Sequence, residues 1–345
     1  MACWTHWPRK SGAESVGRLF NWASRCFDRP VSRESAFIEA LKAIATHPGA
    51  RGLNDDTAVL VVGDTTLVLT HDMIAQGVHY LPDSAPEDVA WKLVSVNMSD
   101  LAAKGARPVA VMLGYCLGSG EWDAAFLAGL GQALDHYGAP LLGGDSISLP
   151  PGAPRVLGLT AIGEAVNEAV PHRGGARAGD WLYVTGTIGD AMMGHRIATC
   201  GGDYRNDELL CAYNRPQARL SEGRALAPLV HAMMDVSDGL LIDARRMAVA
   251  SGVGVDIDFA AVPFSDAFIS AGRAMEQGNS DDLREVRNAA LRWGDDYQLL
   301  FAAPPGFESP VPATFIGRFA AGMPSALSID GVTVPEDAML GYEHG

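Results

Sequence analysis

The chain has 345 residues, 48% of them hydrophobic and 19% charged, which is long and apolar enough to bury two cores rather than one. Its formal net charge of −15 excludes the basic face that nucleic-acid binders carry, and no apolar run reaches the roughly 18 residues that a bilayer-spanning helix needs. Five cysteines without a CxxC pair exclude a disulfide framework and a cysteine zinc site, and they fit a reducing cytoplasm.

Residues 1–33 hold Trp4, Trp7, Trp22 and several arginines but no signal-like apolar stretch. They read as an extension outside the chemistry, whether a disordered tail, a transit peptide or the result of a mis-called start. Helical spacing of Phe37, Ile38, Leu41 and Ile44 predicts a helix over 35–45. Two β-runs, 57–62 and 66–70, meet at Gly63-Asp64 as a hairpin. Ser84-Ala85-Pro86-Glu87 has the pattern of a capping box, opening a helix that runs to Lys104 and stops at Gly105. A buried strand over 109–117 and a helix over 121–137 follow. A short strand over 140–142 then ends in Gly143-Gly144-Asp145, and 155–164 forms another strand. A loop rich in Gly, Ala and Arg, 171–179, separates the halves. Beyond it the reading gives a strand over 181–185, a helix entered through Gly189-Asp190 and a long helix around 217–229. Further strands are expected at 231–234, 253–259 and 297–302, a helix at 239–250, a polar loop or lid at 272–280 and a late hairpin at Asp330-Gly331. Strands alternating with helices in both halves imply an α/β (α+β) chain, with an N-terminal domain over 34–165 and a C-terminal one over 166–345.

The common phosphate-handling motifs are absent. There is no GxxxxGK[ST] loop, no HRD–DFG pair, no GxSxG elbow and no HExxH helix. Lysine occurs four times, at Lys10, Lys42, Lys92 and Lys104, and none follows a glycine loop.

Aspartate, by contrast, falls repeatedly at element ends: Asp55-Asp56, Asp72, Asp100, Asp145, and Asp235 with Asp238. Loops at the carboxyl ends of strands border ligand clefts in α/β folds, and separated carboxylates suit Mg²⁺ bound jointly with phosphates. Each aspartate also has a structural reading. Asp238 can cap a helix, Asp55 can serve a turn, and Asp100 can pair with Lys104 at i,i+4. Convergence would decide between the two, because like charges 4 Å apart repel by about 4 kcal/mol at an effective dielectric of 20. Arg173, in a glycine-rich loop, can reach a phosphate bidentately or lie solvated. His79 can be a site residue or a strand-end residue, and His136, His195 and His231 read as structural.

Taken in order, eight segments resemble the thiamine-monophosphate kinase family of the aminoimidazole ribonucleotide synthetase superfamily. They are Asn54–Leu60; Thr70-His71-Asp72-Met73 with Gly77-Val78-His79-Tyr80; Trp91-Lys92 through Val96–Ala106; and Leu142-Gly143-Gly144-Asp145-Ser146. The others are Arg173–Asp180, Val184–Asp190, Asp235-Val236-Ser237-Asp238-Gly239-Leu240-Leu241, and Gly294–Phe301. The resemblance covers the chain from about residue 34 onward. It implies transfer of the γ-phosphate of ATP to thiamine monophosphate, on a two-domain fold whose N-terminal domains pair in a homodimer around a β-barrel. It implies several Mg²⁺ ions held by Asp56, Thr70, Asp72, Asp100, Asp145, Asp235 and Asp238, with Asp100, Asp235 and Asp238 central to catalysis. ATP would meet Gly144, Asp145, Arg173 and Ser237, and the thiamine phosphate His79 and Asp295. The chain departs from the family pattern in several places: Asn54 replaces a glycine, His71 stands at a small-hydroxyl position, and Ser148 replaces an arginine. Trp293-Gly294-Asp295-Asp296 shortens the substrate-facing carboxylate by one methylene, and the aromatic that stacks on thiamine falls near Met339 and Tyr342. The alternatives are another ATP-dependent synthetase or kinase of the superfamily, or a non-catalytic metal-binding dimer.

Overall fold

A computed structural model describes residues 33–167, 169–200, 204–275, 280–322 and 327–343. In chain order the N-terminal half contains α1 (Arg33–Lys42), β1 (Ala58–Val62), β2 (Thr65–Ala75), α2 (Pro86–Ala103), β3 (Ala106–Leu117), α3 (Gly120–Tyr137), β4 (Leu141–Ser148) and β5 (Val156–Ala165). The other half contains β6 (Trp181–Thr185), α4 (Asp190–Cys200), α5 (Asp207–Asn214), α6 (Leu220–Leu226), β7 (Ala232–Asp235), α7 (Leu240–Ser251), β8 (Gly254–Ile257) and α8 (Asp266–Met275). It closes with α9 (Ser280–Ala290), β9 (Leu299–Ala303), β10 (Ala313–Ala320), β11 (Leu327–Ile329) and β12 (Val332–Thr333). The described residues form two sheets, one ordered β1-β2-β5-β3-β4 and one ordered β12-β11-β8-β10-β6-β9-β7, the mixed α/β two-domain arrangement that the alternation implied.

Several elements differ from the sequence reading for identifiable reasons. Ala85, not Ser84, occupies the N-cap of α2, with Pro86 inside the first turn; the Ser84 hydroxyl instead accepts the Leu81 N–H at 3.1 Å. The expected capping box therefore does not form, since the N-cap Ala85 has no side-chain acceptor. Gly143-Gly144-Asp145 lies inside β4, not beyond its end, because β4 continues to Ser148 in parallel pairing with β3. At Gly144 any Cβ would sit 1.8 Å from the Leu113 carbonyl oxygen, so glycine lets the two backbones approach there. The long helix expected over 217–229 is the short α6, and α5 precedes it across Arg215-Pro216, where proline bars a continuous helix. Part of the expected lid belongs to α8, which runs to Met275; residues 276–279 lie outside the described ones. So do residues 1–32 of the expected extension, while its last residue, Arg33, begins α1.

The helix that positions the site is α2. From Val89 to Ala103 all its residues but Trp91 are buried, and they include Lys92, Asn97, Ser99 and Asp100. A helix buried on nearly every side and still carrying ionisable groups needs internal partners for each. One side packs on β2 and β5, and another on β7 and α6 of the second half. Close docking on α6 requires Gly223, where a Cβ would lie 1.9 Å from the Ala102 carbonyl oxygen. Among the described residues no helix is long and apolar enough to cross a membrane.

Candidate active site

Period-2 alternation along β2 sends Thr70 and Asp72 toward α2, and His71 to the opposite face. There His71 Nδ1 lies 2.8 Å from Thr160 Oγ1, away from the aspartates. Asp100, on the α2 face turned to β2, accepts a hydrogen bond from the Thr70 hydroxyl. Ser99, one residue earlier, donates to Asp235 Oδ2 at 2.5 Å and so ties α2 to the end of β7. Asn97 completes the frame: its Oδ1 accepts the Asp72 N–H at 3.0 Å, while its amide nitrogen donates to the Leu93 carbonyl. Thr70, Asp72, Asp100 and Asp235 therefore surround one end of α2.

These carboxylates repel one another. Burial, followed by the charges of Asp238 and Asp56, raises Asp72 from 3.8 to about 6. Burial also pushes Asp100 well above its ordinary range, and Asp72, Asp235 and Asp56 push it further. Asp235 moves the same way, by burial and then by Asp56. Among the described residues no lysine or arginine pairs with Asp72, Asp100 or Asp235.

Asp56 is the exception. Burial would raise it, but Arg173 and Lys104 outweigh burial and hold it below the usual carboxylate range. Lys104 lies 2.6 Å from both Asp55 Oδ1 and Asp56 Oδ2, so the i,i+4 pair with Asp100 that its spacing allowed does not form. Arg173 bonds Asp56 through one terminal nitrogen, while its buried Nε has no acceptor. Arg51 adds a contact to Asp55 Oδ2 at 2.5 Å.

Asp238 sits in the loop between β7 and α7, bonded to Arg246. That loop is pinned by Asp243, whose Oδ2 accepts the N–H groups of Ser237, Asp238 and Gly239 at 3.1, 3.1 and 3.2 Å. Sequence reasoning missed Asp243; the signal was a carboxylate four residues after Gly239, able to fold back on the helix's own start. Backbone bonds from Asp295 N to Ser237 O and from Tyr342 N to Asp238 O bring two further segments to the same loop.

His79 and Asp295 also meet. Lys92, 2% exposed, donates to the His79 carbonyl at 2.9 Å and to Asp295 Oδ2 at 2.7 Å, and Asp295 Oδ1 accepts from Tyr297 at 3.0 Å. Around this pair stand Tyr213, whose ring centroid is 4.3 Å from Lys92 Nζ, and His195, 5.2 Å from Tyr213 and 4.9 Å from Trp293. Tyr342 lies edge-on to His79 at 6.4 Å, whereas Met339 is largely exposed. His195, read as structural, thus faces Lys92 and Asp295; burial and then Lys92 lower its pKa. The sequence could not show this, since Tyr213 and His195 lie over a hundred residues from Lys92.

Asp145 and Gly144 are not brought to the carboxylates. Register pairing runs Asp72–Leu159–Leu113–Gly144 across the sheet, so β4 is three strands from β2, about 14 Å at the usual strand spacing. Asp145 pairs with Gly114 in the adjacent row, which shares the face of Met73 and not that of Asp72.

The donor set can be tested against a metal. Asp72, Asp100, Asp235 and Thr70 offer hard oxygens only, desolvated and without counter-cations among the described residues, which fits Mg²⁺ and excludes a soft-metal site. Among the described residues no three His, Cys, Asp or Glu side chains form a ready metal cage. Mg²⁺ characteristically takes only one or two carboxylates and completes its shell with water and phosphate oxygens.

Models of the AIR synthase related protein match this chain over residues 54–165 for the N-terminal domain and 177–298 for the C-terminal domain. Thiamine-monophosphate kinase of Escherichia coli strain K12 is 35% identical over 318 residues, covering 85% of this chain and 91% of the relative. The structure of AaThiL complexed with AMPPCP and TMP has a TM-score of 0.78 at 29% identity, covering 89% of this chain and 96% of that one. A thiamine monophosphate kinase structure from Aquifex aeolicus has a TM-score of 0.75 at 28% identity, covering 88% and 99%. With both halves matched, and a relative of this identity aligned along most of its length, the chain belongs to the thiamine-monophosphate kinase family of the AIR synthase related proteins.

Proposed function

We propose that this chain transfers the γ-phosphoryl group of ATP to the phosphate of thiamine monophosphate, releasing thiamine diphosphate and ADP. The observation that carries the reading is the set of carboxylates Asp100 and Asp235, buried, and Asp72, half-buried, which among the described residues have no lysine or arginine partner and lie between two phosphate-competent flanks. One flank is Arg173, with a buried N–H to spare; the other is Lys92 with Asp295 and His79. Residues 34–165 would be the N-terminal ATP- and metal-binding α/β domain, and 166–345 the C-terminal α/β domain, which contributes Arg173, Asp235, Ser237 and Asp295 to the site.

In this reading Asp72, Asp100 and Asp235, with Thr70 and with Asp56 and Asp238 at the margins, hold Mg²⁺ jointly with phosphate oxygens. Bound there, Mg²⁺ supplies charge neutralisation for the transferring phosphoryl group. Phosphoryl transfer otherwise asks the protein for positioning. Arg173 and the Ser237 loop orient the triphosphate. Lys92 faces the acceptor phosphate, whose ionised oxygen attacks the γ-phosphorus as the bond to the β–γ bridging oxygen breaks, so no general base is required. Asp295 and the rings of Tyr213, Trp293, His195 and Tyr342 suit a positively charged, planar thiazolium. Incubating the purified chain with ATP, MgCl₂ and thiamine monophosphate should yield thiamine diphosphate by chromatography of thiamine esters. Absence of that product would sink the acceptor assignment.

The reading also calls for a homodimer. Val62, Met73, Met112 and Ile147 are exposed on the sheet face away from α2, and β4 is an exposed edge strand along its whole length. Two such faces closing into a barrel would bury that apolar surface and bring Gly144 and Asp145 to the partner's carboxylates. The test is complementation. Asp100→Asn and Asp145→Asn chains should each be inactive, and their mixture should regain about a quarter of wild-type turnover, because half the dimers are mixed and each has one intact site of two. No recovery on mixing, or a monomer by light scattering, would place Asp145 outside the site. Exposed thiols at Cys200 and Cys211 fit the cytoplasm.

A further inference from the structure

Lys104 is an ammonium buried without any exposed surface, one residue beyond the end of α2. Its Nζ has three oxygen neighbours: Asp55 Oδ1 at 2.6 Å, Asp56 Oδ2 at 2.6 Å and the Met233 carbonyl at 3.0 Å. The ammonium donates hydrogen bonds to Asp55 and to the Met233 carbonyl, and pairs with Asp56 Oδ2 by charge at contact distance. The oxygens come from both halves of the molecule, two from the loop before β1 and one from β7. Burying a lysine costs several kcal/mol unless its charge is matched, and here it is matched by two carboxylates.

The carboxylates of the site thus fall into two groups. Asp55 and Asp56 are neutralised by Lys104, Arg173 and Arg51, whereas no lysine or arginine among the described residues pairs with Asp72, Asp100 or Asp235. Asp56 stands between the groups, since its charge acts on Asp72, Asp100 and Asp235. When Arg173 turns to a phosphate, Asp56 keeps one partner, Lys104.

We propose that Lys104 is a positioning residue that serves as a resident cation, filling with its ammonium the place between Asp55, Asp56 and the Met233 carbonyl that these oxygens would offer to a metal ion. The number of divalent cations this chain binds is then set by Asp72, Asp100 and Asp235. The inference rests on the carboxylates being a cation site. An unbranched, uncharged replacement leaves the three oxygens in place and removes the charge, opening the position to an external cation.

The test counts Mn²⁺ bound per chain from the free Mn²⁺ resonance in electron paramagnetic titrations without nucleotide, alongside melting curves against MnCl₂. Lys104→Met should bind one more Mn²⁺ than wild type, and its melting temperature should rise more steeply with MnCl₂. Lys104→Arg should keep the wild-type count. Equal counts for wild type and Lys104→Met would overturn the role of Lys104, while no Mn²⁺ on either would overturn the reading of the site as well. If Lys104→Met folds only with MnCl₂ present, that rescue is the expected result. If it stays unfolded with MnCl₂ while Lys104→Arg folds, the position does not admit a metal ion and the proposal fails.

Discussion

Asp100→Asn should lower turnover by about 10²–10³-fold, the scale of the loss when one preorganised oxyanion-hole donor is removed. The fold should survive. Asparagine is nearly isosteric, and its carbonyl oxygen can still accept the Thr70 hydroxyl bond. The change removes one of several desolvated charges that raise each other's pKa, so the metal-free variant should melt no lower than wild type. The Mg²⁺-dependent rise in melting temperature should shrink, because a ligand that binds only the folded state stabilises in proportion to its affinity. Steady-state kinetics and melting curves with and without MgCl₂ check both halves. Turnover within twofold of wild type would remove Asp100 from the site.

The second large effect concerns pH. Asp72 has its pKa raised in the fold, from 3.8 to about 6, so between those values the folded chain binds more protons than the unfolded one. Its stabilising contribution is complete below pH 3.8 and is lost as pH rises through 6. About two units correspond to roughly 3 kcal/mol. Asp100 and Asp235 shift in the same direction and extend the loss upward. Asp56 is lowered instead, so its contribution is lost only as pH falls below the ordinary carboxylate range, outside this window. In EDTA the melting temperature should therefore fall from pH 4.5 to pH 7. Mg²⁺ binds the ionised carboxylates, so the gap between the Mg²⁺ and EDTA curves should widen over the same interval. A flat EDTA curve, or a gap independent of pH, would mean that these carboxylates are not crowded together.

Much of the secondary structure was legible locally. The β1–β2 hairpin, α2, α3, β6 and α7 follow from apolar periodicity punctuated by glycine and proline. Where the reading failed, the deciding contact lay elsewhere in the chain. β4 extends through Gly143-Gly144-Asp145 because β3 offers a parallel partner, and β10 went unread although it pairs with both β6 and β8. The short helices α5, α8 and α9 were missed or read as loop, being polar on one side and stabilised by docking rather than propensity.

By itself the sequence determined the residue types: a chain almost without lysine, lacking a P-loop, with aspartates at element ends in the order of one kinase family. Read locally, the second β-run ends at residue 70; pairing with β5 carries β2 on to Ala75, and that extension puts Thr70 and Asp72 on one face and His71 on the other. Only the tertiary structure decided which carboxylates meet. Asp72, Asp100 and Asp235 sit on a strand, a helix and a second strand, and the two nearest in the chain, Asp72 and Asp100, are 28 residues apart. It also separated Asp145 from them and gave Lys104 to Asp55 and Asp56 instead of Asp100. The physical reason is common to these cases: local pattern sets the direction in which a side chain leaves the backbone. Pairing energies in a low-dielectric interior depend on what the fold places in front of it.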